Sequence, residues 1–323
     1  MRWKLEETEF NIGVPEDSRR LTVLDHPDSE TDVKIILELL RLDQVVLIQN
    51  VNAELADNVM HDIADRLHLS DSLKLQAGFA SFAGHRHRIG KYFMSVNKRS
   101  DYQFIPPHSE GSSFVGMQLA SFFCYENSTD GGETIVLNVD DKADVWHFLR
   151  ERVKRGRIGS KPIARSEVLR ARGLYKVNLP EDVLKDEDQI LQECGSDIPG
   201  LTLVDVLAKP QDSYSCILDR RLYVYWDTIA SIDFDSAREY ERLLRLGGLL
   251  KEPRGGLELN QMDNAAHRRV WSSGVKYVDI FKCKITRKLL PGDFLIHNNL
   301  TWTHSSNNWS PGSGNRQVAA SFA

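Results

Sequence analysis

The pattern of apolar residues changes from helical to strand-like along the chain, and this change constrains the fold more than any other feature. Residues 31–42 and 53–67 place apolar side chains at helical spacing, and the apolar run 45–48 between them predicts a buried strand. Beyond residue 118, several short segments are typical of strands: 119–125, 134–139, 221–226, 278–285, 293–297 and 317–322. This order predicts an α+β chain built around a β-barrel or jelly roll.

The middle of the chain is rich in charge. Residues 143–155 and 236–246 are predicted as polar surface helices, and residues 167–210 as an irregular surface region. No shift in composition marks a domain boundary. We therefore expect one domain over residues 1–323, with a helical N-terminal part of about residues 1–100 and an insertion of about residues 140–290.

Charge and composition exclude several functions. With 41 basic and 46 acidic residues the net charge is -5, which excludes a strongly basic, phosphate-binding surface as the main feature. No stretch approaches the ~20 apolar residues of a membrane span, and the charged start lacks the apolar core of a secretory signal. The four cysteines are scattered, without a CxxC pair. We expect a cytoplasmic protein with a small-molecule substrate and no nucleic-acid or membrane partner; the oligomeric state stays open.

The first candidate metal ligands are His108 and Glu110, which stand two residues apart after two prolines. On a strand, side chains two residues apart point the same way, so the pair could offer an imidazole and a carboxylate to one ion. Alone the pair says little. Chance predicts about 1.4 such pairs in this composition, and the chain has a second one at His26 and Asp28.

Later motifs follow this pair in a definite order. Residues 130–134 (DGGET) lead into a predicted strand, and residues 291–299 (PGDFLIHNN) are followed by His304 and then by Arg316. This order resembles the taurine dioxygenase-like (TauD/TfdA) branch of the Fe(II)/2-oxoglutarate-dependent dioxygenases. The matching motifs extend from Pro106 to Arg316, about two-thirds of the chain, and the middle of that span matches in outline only.

The resemblance implies a fold, cofactors and site residues. The fold is a double-stranded β-helix, or jelly roll, with flanking helices. His108, Glu110 and His304 would bind Fe(II), and the three open positions would serve 2-oxoglutarate and O2. Arg316 would bind the distal carboxylate of 2-oxoglutarate, and Thr134 would donate its hydroxyl to the same co-substrate. The implied reaction hydroxylates an unactivated C–H bond of a small polar substrate and releases succinate and CO2.

Two departures from the family pattern bear on the substrate. The carboxylate is Glu110 where most of this branch has Asp, as in amino-acid hydroxylases of the clavaminate synthase type. This favours an amino acid or its derivative, free or bound to a carrier. Some members have a second arginine four residues after the one at Arg316, and here that position is Ala320. A taurine-like substrate held in that way is therefore disfavoured.

Each element also has a structural explanation, and other functions stay open. The GGET motif is also typical of a hairpin turn, and His297 competes with His304 for the ligand role, although the spacing to Arg316 favours His304. A cupin-like barrel with zinc or manganese would be a hydrolase or isomerase, and a degenerate barrel would only bind a ligand. Arg316 together with Thr134 favours the oxygenase, because a zinc hydrolase needs no site for a dicarboxylate.

A basic segment, residues 84–91 (GHRHRIGK), precedes the predicted ligands. It could recognise an anionic group of the substrate, or it could be a solvated loop. Trp302 and Trp309 flank His304, where they could line the site or pack in the core.

Overall fold

In the computed structural model, the described residues are 12–25, 30–82, 86–96, 105–112, 115–140, 142–143, 151–208, 213–215, 220–222, 242, 244–249, 251, 277–310 and 312–323. Four α-helices lie in this part of the chain: α1 Glu30–Arg41, α2 Ala53–Arg66, α3 Ser70–Phe82 and α4 Arg165–Arg170. Helix α4 continues as a π-helical turn, Ala171–Tyr175, and 3-10 turns cover Ser18–Arg20 and Tyr277–Ile280. No described helix is both long enough and apolar enough to cross a membrane.

Strands make up most of the regular structure. They are β1 Leu21–Asp25, β2 Val45–Gln49, β3 Met94–Ser95, β4 Ile105–His108, β5 Gly111–Ser112, β6 Val115–Gly116, β7 Leu119–Asn127, β8 Thr134–Val139, β9 Glu151–Ile158, β10 Gln189–Cys194, β11 Leu201–Ala208, β12 Ser213–Ser215, β13 Arg220–Leu222, β14 Phe281–Arg287, β15 Phe294–Asn298, β16 Trp302–Ser306 and β17 Arg316–Phe322. The chain is therefore a mixed α+β protein that consists mostly of sheets.

Two sheets position the site. The six-stranded sheet has the order β1-β2-β15-β7-β17-β3, and the four-stranded sheet has the order β14-β8-β16-β4. Among the described strands of these two sheets, β1 and β2 pair in parallel, and the other pairs are antiparallel. One apolar core contains residues of both sheets, among them Phe122, Val136, Leu295 and Trp302. The sheets therefore pack against each other through this core.

The N-terminal helices cover the other face of the six-stranded sheet. Strand β15 shows the alternation: Leu295 belongs to the core shared by the sheets, whereas Phe294 and Ile296 pack in a second core with the helices. Helix α1 contributes Ile36 and Leu40 to this second core, both of them fully buried. Because α1 and α2 carry apolar residues at helical spacing on one side, their packing against the sheet explains why these sequences fold as helices.

Helix α2 also fixes the segment that precedes the candidate metal ligands. Asp57, which is buried on this helix, accepts hydrogen bonds from the backbone N–H groups of Lys91 (2.8 Å) and Tyr92 (2.7 Å). A hydrogen bond that a backbone N–H donates to a carboxylate is stronger than one between two neutral groups. The segment 86–96 is therefore attached to the helical layer at its middle, while β3 near its end pairs with β17.

Residues 143–155 are not the helix that the sequence predicts, at least over the described part. Residues 151–155 belong to strand β9, which pairs with β11 along its whole length, and residues 144–150 lie outside the described part. Arg155 points inward, with only 7% of its side chain exposed, between Asp182 (3.1 Å) and Asp188 (3.4 Å). The sequence pattern treats a charged residue as exposed, so it does not predict an arginine that is buried between two carboxylates.

The irregular structure expected for residues 167–210 is likewise wrong. This region contains most of α4 together with β10 and β11, and β11 buries most of its side chains. The overall charge of the segment conceals this short apolar strand. Residues 221 and 222 of the predicted strand 221–226 lie in β13, and residues 223–226 lie outside the described part of the chain. In the predicted helix 236–246, only residues 242 and 244–246 are described, and they are helical. The other predicted helices and strands are found, with ends shifted by a few residues.

Candidate metal centre

Two histidines from neighbouring strands and one glutamate lie close together. His108 ends β4 and lies directly opposite His304 of β16, so the pairing of these strands brings the two imidazoles together, with ring centroids 4.4 Å apart. Glu110 follows β4 in a bend, and its Oε1 lies 3.6 Å from His108 Nε2 and 3.9 Å from His304 Nε2. Ligand atoms of all three residues lie within 4.8 Å of one another.

Asn299 holds the backbone of Glu110 in place. Its Oδ1 accepts a hydrogen bond from the Glu110 N–H (3.2 Å), and its Nδ2 donates to the Glu110 carbonyl (3.0 Å) and to the Met117 carbonyl (2.7 Å). Asn299 is fully buried in the turn after β15. The amide therefore fixes a bend that has no strand partner of its own at this point, and the sequence alone gave this residue no such role.

Asn299→Ala is expected to lower the free energy of unfolding by about 2–4 kcal/mol, since it leaves buried backbone groups without partners. It should also weaken metal binding about 10- to 100-fold, as is typical when a residue that orients a ligand is removed. Urea denaturation and Mn(II) titration measure the two effects. Asn315→Ala, at an exposed position, is the matched control and should change neither. Unchanged metal affinity in Asn299→Ala would contradict the assigned role.

The electrostatics of the cluster suit a cation. Burial alone would raise the pKa of Glu110, but the facing imidazoles of His108 and His304 and the charge of Arg86 outweigh it and keep that pKa well below the usual range. Burial lowers the pKa of His304 to about 4, and the nearby His108 adds to the effect. At neutral pH the site therefore contains an ionised carboxylate and a neutral His304, which are the protonation states that metal binding requires.

The donor set fits a divalent ion. Two imidazole nitrogens and one carboxylate oxygen are a ligand set that occurs in non-haem iron sites and in zinc sites. In addition, the buried His304 Nδ1 has no hydrogen-bond partner among the described residues. His108, Glu110 and His304 thus lie close enough together to bind one ion, and they present only three ligand atoms to it.

The other two predicted site residues line the same cavity. Thr134 begins β8 directly opposite Ser306 of β16, and Arg316 begins β17. Both border the cavity that contains the metal cluster. Arg316 Nε donates to the Gly132 carbonyl (3.2 Å), and its guanidinium lies 5.5 Å from the centre of the Trp309 ring. Burial lowers the pKa of Arg316 to about 10, so it remains a cation at neutral pH.

The two glycines of the GGET motif are required by close packing. Gly132 has a φ of +71°, and a Cβ there would lie 2.7 Å from Arg316 Cδ. A Cβ on Gly131 would lie 2.1 Å from the carbonyl oxygen of Asn308. The turn therefore brings its backbone against Arg316 on one side and residue 308 on the other. This is the reason that two glycines precede Glu133 and Thr134 in the motif.

His297, the competing candidate, lies beside the metal cluster and is not part of it. The residue is fully buried on β15, and its ring centroid is 5.6 Å from that of His304. Neither ring nitrogen has a hydrogen-bond partner among the described residues. Burial lowers its pKa to about 3, so the ring is neutral in the folded protein. It packs against Phe122, with centroids 6.2 Å apart.

This buried histidine predicts acid sensitivity of the metal-free protein. The unfolded chain binds a proton at His297 below its ordinary pKa near 6.5, whereas the folded protein does so only near pH 3. Stability should therefore fall as the pH decreases from about 6.5 towards 3, by about 1.4 kcal/mol per pH unit for this group. Buried His304 acts in the same direction.

His297→Leu should reduce that slope by about 1.4 kcal/mol per pH unit, because one titrating group is removed. Urea denaturation of the metal-free protein at several values between pH 4 and 7 measures the slope. The exposed His87 gives the control variant His87→Ala, whose slope should match the wild type. Equal slopes in His297→Leu and the wild type would show that His297 is not buried in its neutral form.

Arg86, from the basic segment 84–91, reaches the metal cluster. Its Nη2 donates to Glu110 Oε1 at 3.1 Å, and its guanidinium lies 5.5 Å from the centre of the Phe322 ring. The sequence marked the segment as basic but could not select this arginine from its neighbours. Trp302 is fully buried in the core, and Trp309 packs beside Arg316. Residues 83–85 and 97–104 lie outside the described part of the chain.

Comparison with known proteins gives structural likeness only. No protein-family model and no curated protein matches the sequence. Among solved structures, the chain is similar to AAD-2 in complex with Mn(II) and N-oxalylglycine, with 10% identity, 96% of each chain covered and a TM-score of 0.44. It is also similar to PvcB from Pseudomonas aeruginosa, with 10% identity, 96% of this chain and 89% of that chain covered and a TM-score of 0.42.

A third similar structure is the non-heme iron oxygenase OrfP in complex with Fe, with 11% identity, 91% of this chain and 80% of that chain covered and a TM-score of 0.37. PvcB is described as an Fe, alpha-ketoglutarate-dependent oxygenase from an isonitrile synthetic pathway. At these identities and scores we base the functional proposal on the side chains of the site.

Proposed function

We propose that this protein is an Fe(II)- and 2-oxoglutarate-dependent oxygenase of the taurine dioxygenase-like (TauD/TfdA) type, with a jelly-roll core formed by its two main sheets. The observation that carries this proposal is one cavity bordered by two histidines, a glutamate, a threonine and an arginine. The two histidines and the glutamate supply metal ligands. Arg316 supplies a fixed cation that can bind the distal carboxylate of 2-oxoglutarate. A zinc hydrolase does not need a site for a dicarboxylate co-substrate.

His108, Glu110 and His304 would hold Fe(II). Three protein ligands leave up to three positions of a six-coordinate ion open. When bound, Fe(II) together with 2-oxoglutarate and O2 supplies the oxidation of an unactivated C–H bond, with formation of succinate and CO2. The protein fixes the ligands: strand pairing orients the two imidazoles, and Asn299 fixes the backbone of Glu110.

Arg316 and Thr134 would bind the co-substrate. A guanidinium can bind a carboxylate through two parallel hydrogen bonds, and Arg316 remains charged despite its burial. Thr134, also bordering the cavity, offers a hydroxyl donor. The close packing of Gly132 against the Arg316 side chain limits the rotamers of the arginine, so its orientation is set before the co-substrate binds.

Apolar side chains complete the cavity and limit access of water. Phe122 packs edge-on against His304 with ring centroids 4.9 Å apart, and Phe322 stacks on the same imidazole at 6.2 Å. These contacts orient the His304 ring. They also lower the local dielectric, which strengthens each charge interaction in the cavity. The C–H bond to be oxidised would therefore lie beside apolar side chains.

The substrate is proposed to be a small polar molecule, an amino acid or its derivative. We also propose one domain over residues 1–323, since β1 and β2 from the N-terminal part belong to the same sheet as β7, β15 and β17. The segment of about residues 140–290 would be an insertion into this domain. Free and carrier-bound amino acids are both consistent with the residues of the cavity.

The decisive experiment is an anaerobic visible absorption titration of the metal-free protein with Fe(II) and then with 2-oxoglutarate. A charge-transfer band that requires both additions supports the proposal, and succinate formation in air should follow. Metal binding without this band would instead favour zinc or manganese chemistry on the same barrel. The absence of any metal binding would favour a non-catalytic binding protein.

A further inference from the structure

One ring nitrogen of His304 is buried without a hydrogen-bond partner among the described residues. Its Nε2 faces Glu110 Oε1 at 3.9 Å, which is the side of the proposed metal ion, and the nitrogen without a partner is Nδ1. A neutral imidazole whose Nε2 binds a metal ion carries its proton on Nδ1. The loaded site would therefore contain a buried N–H donor, and such a donor destabilises the fold unless an acceptor lies nearby.

The rings around His304 offer one candidate acceptor. Among the described residues, the aromatic rings that pack against this imidazole belong to His108, Phe122, His297 and Phe322. The two phenylalanines have no acceptor nitrogen, and His108 is itself a proposed metal ligand. The remaining ring is that of His297.

His297 lacks partners as well. It lies on β15 without exposed surface, and neither of its ring nitrogens has a hydrogen-bond partner among the described residues. Leu295, two positions earlier, belongs to the core between the sheets, so the alternation of the strand directs His297 into the same space. A divalent ion nearby would repel a second cation, which keeps this imidazole neutral. A neutral imidazole has one nitrogen that can accept a hydrogen bond.

The spacing of the two imidazoles fits one hydrogen bond. The centroids of His297 and His304 are 5.6 Å apart, and the planes of the rings are inclined by 54°. Two imidazoles joined by an N–H···N hydrogen bond of about 3 Å have centroids about 5.2 Å apart. The separation in the structure exceeds that value by only about half an ångström, and rotation about χ2, a torsion with broad wells in histidine, can align the two nitrogens.

We propose that His297 is a positioning residue of the metal site and that one of its ring nitrogens accepts the hydrogen bond of the His304 Nδ1–H. This inference rests on the proposed oxygenase function and adds a residue to its metal site. The bond would fix the orientation of the His304 ring and make Nε2 a stronger ligand, as other acceptors do behind metal-binding histidines. It also explains why a histidine follows the apolar residues 294–296 on a fully buried strand.

The first test detects the hydrogen bond itself. The full chain, with isotopically labelled histidine, is loaded with Zn(II), a diamagnetic ion that the same ligand set can bind. Nuclear magnetic resonance of the wild type should show a histidine Nδ1–H that exchanges slowly with water and is coupled, across the hydrogen bond, to a nitrogen of a second histidine. His297→Phe keeps a ring in the core and should remove this coupling. A Zn(II)-loaded wild type without the coupling would overturn the inference.

The second test is the affinity for Mn(II), measured by calorimetry. His297→Phe should bind Mn(II) about 10- to 100-fold more weakly than the wild type. His297→Gln keeps an acceptor oxygen and should recover most of the lost affinity. The matched control is Ile296→Ala, at the neighbouring buried position of β15 that faces the helical core. It removes packing but no acceptor, so its stability should fall while its affinity for Mn(II) equals that of the wild type.

Thermal unfolding verifies that each variant is folded, and His297→Leu replaces His297→Phe if the latter does not fold. Equal Mn(II) affinities of His297→Phe and the wild type, or a loss that His297→Gln does not recover, would overturn the inference. In either case a wild-type charge-transfer band with Fe(II) and 2-oxoglutarate would still support the oxygenase function. A wild type that binds no metal ion would refute the metal site itself, and this inference with it.

Discussion

His304→Ala is expected to reduce the affinity for Fe(II) or Mn(II) by more than about a hundredfold. The reduction should exceed the 10- to 100-fold cost of removing a residue that only orients a ligand, because a ligand atom itself is lost. In the folded protein His304 faces both His108 and Glu110 across a few ångströms. The two remaining ligands, His108 and Glu110, do not complete the set of three ligands on one face of the ion. Calorimetric titration with Mn(II), which avoids oxidation, measures the effect.

The control for this experiment is His87→Ala, which removes an exposed histidine and should bind Mn(II) as the wild type does. The folded state of His304→Ala is verified by its thermal unfolding. If this variant bound Mn(II) normally, the ligand would have to be another residue, and His297, whose ring lies 5.6 Å from that of His304, would be the first to test.

Arg316→Met is expected to weaken 2-oxoglutarate binding by about a hundredfold or more, while Mn(II) binding is retained. The guanidinium groups of Arg316 and Arg86 are the only formal cations among the described residues that line the cavity, and a hydrogen-bonded ion pair away from water contributes about 1.5–3 kcal/mol or more. In Mn(II)-loaded wild type, 2-oxoglutarate at 100 times its Kd should stabilise the fold by about 2.7 kcal/mol, seen as a higher unfolding temperature. Arg316→Met should lose this increase.

Two variants sharpen the result. Arg316→Lys keeps the charge but not the paired donors, and its affinity should lie between those of the wild type and Arg316→Met. Arg172→Met removes an exposed arginine and should bind 2-oxoglutarate normally. A wild-type thermal shift in Arg316→Met would mean that the co-substrate carboxylate is bound elsewhere, and Arg86 would then be the remaining arginine of the described cavity.

The sequence predicted the elements whose pattern is local. Residues 31–42 and 53–67 became α1 and α2 because their apolar stripe packs on a sheet, and strands β14, β15 and β17 follow from short apolar runs, whereas β16, which carries His304, was not predicted. Strand β9 was missed because its partner, β11, lies about fifty residues further along the chain, and because its Arg155 is buried by two carboxylates about thirty residues away in sequence. Contacts between residues so far apart cannot be predicted from the residue pattern within a sequence window of about ten residues.

The residues of the site also fall into those that the sequence predicts and those that it does not. His108, Glu110, Thr134, His304 and Arg316 stand in motifs with a definite order, and the structure places them around one cavity. The role of Asn299 depends on hydrogen bonds to a residue 189 positions away, and Arg86 reaches Glu110 across 24 positions. Neither contact follows from residue type or spacing. A run of two asparagines after an apolar strand was the only signal for the first of these residues.

The way β8 and β14 pair has a consequence for how such a protein can change. Val139 and Phe281 are direct neighbours in antiparallel register, so the chain leaves and re-enters the four-stranded sheet at adjacent points. The sheet therefore holds together the two ends of the connection that residues 140–280 make. Lengthening or exchanging this connection costs little additional entropy. Part of this connection nevertheless contributes to the core behind the metal site: Leu244 and Leu249 pack in it, and Lys251 exchanges two hydrogen bonds with Asn308 just after β16. A different segment grafted between these two strands would therefore have to reproduce these contacts to leave the metal site unaltered.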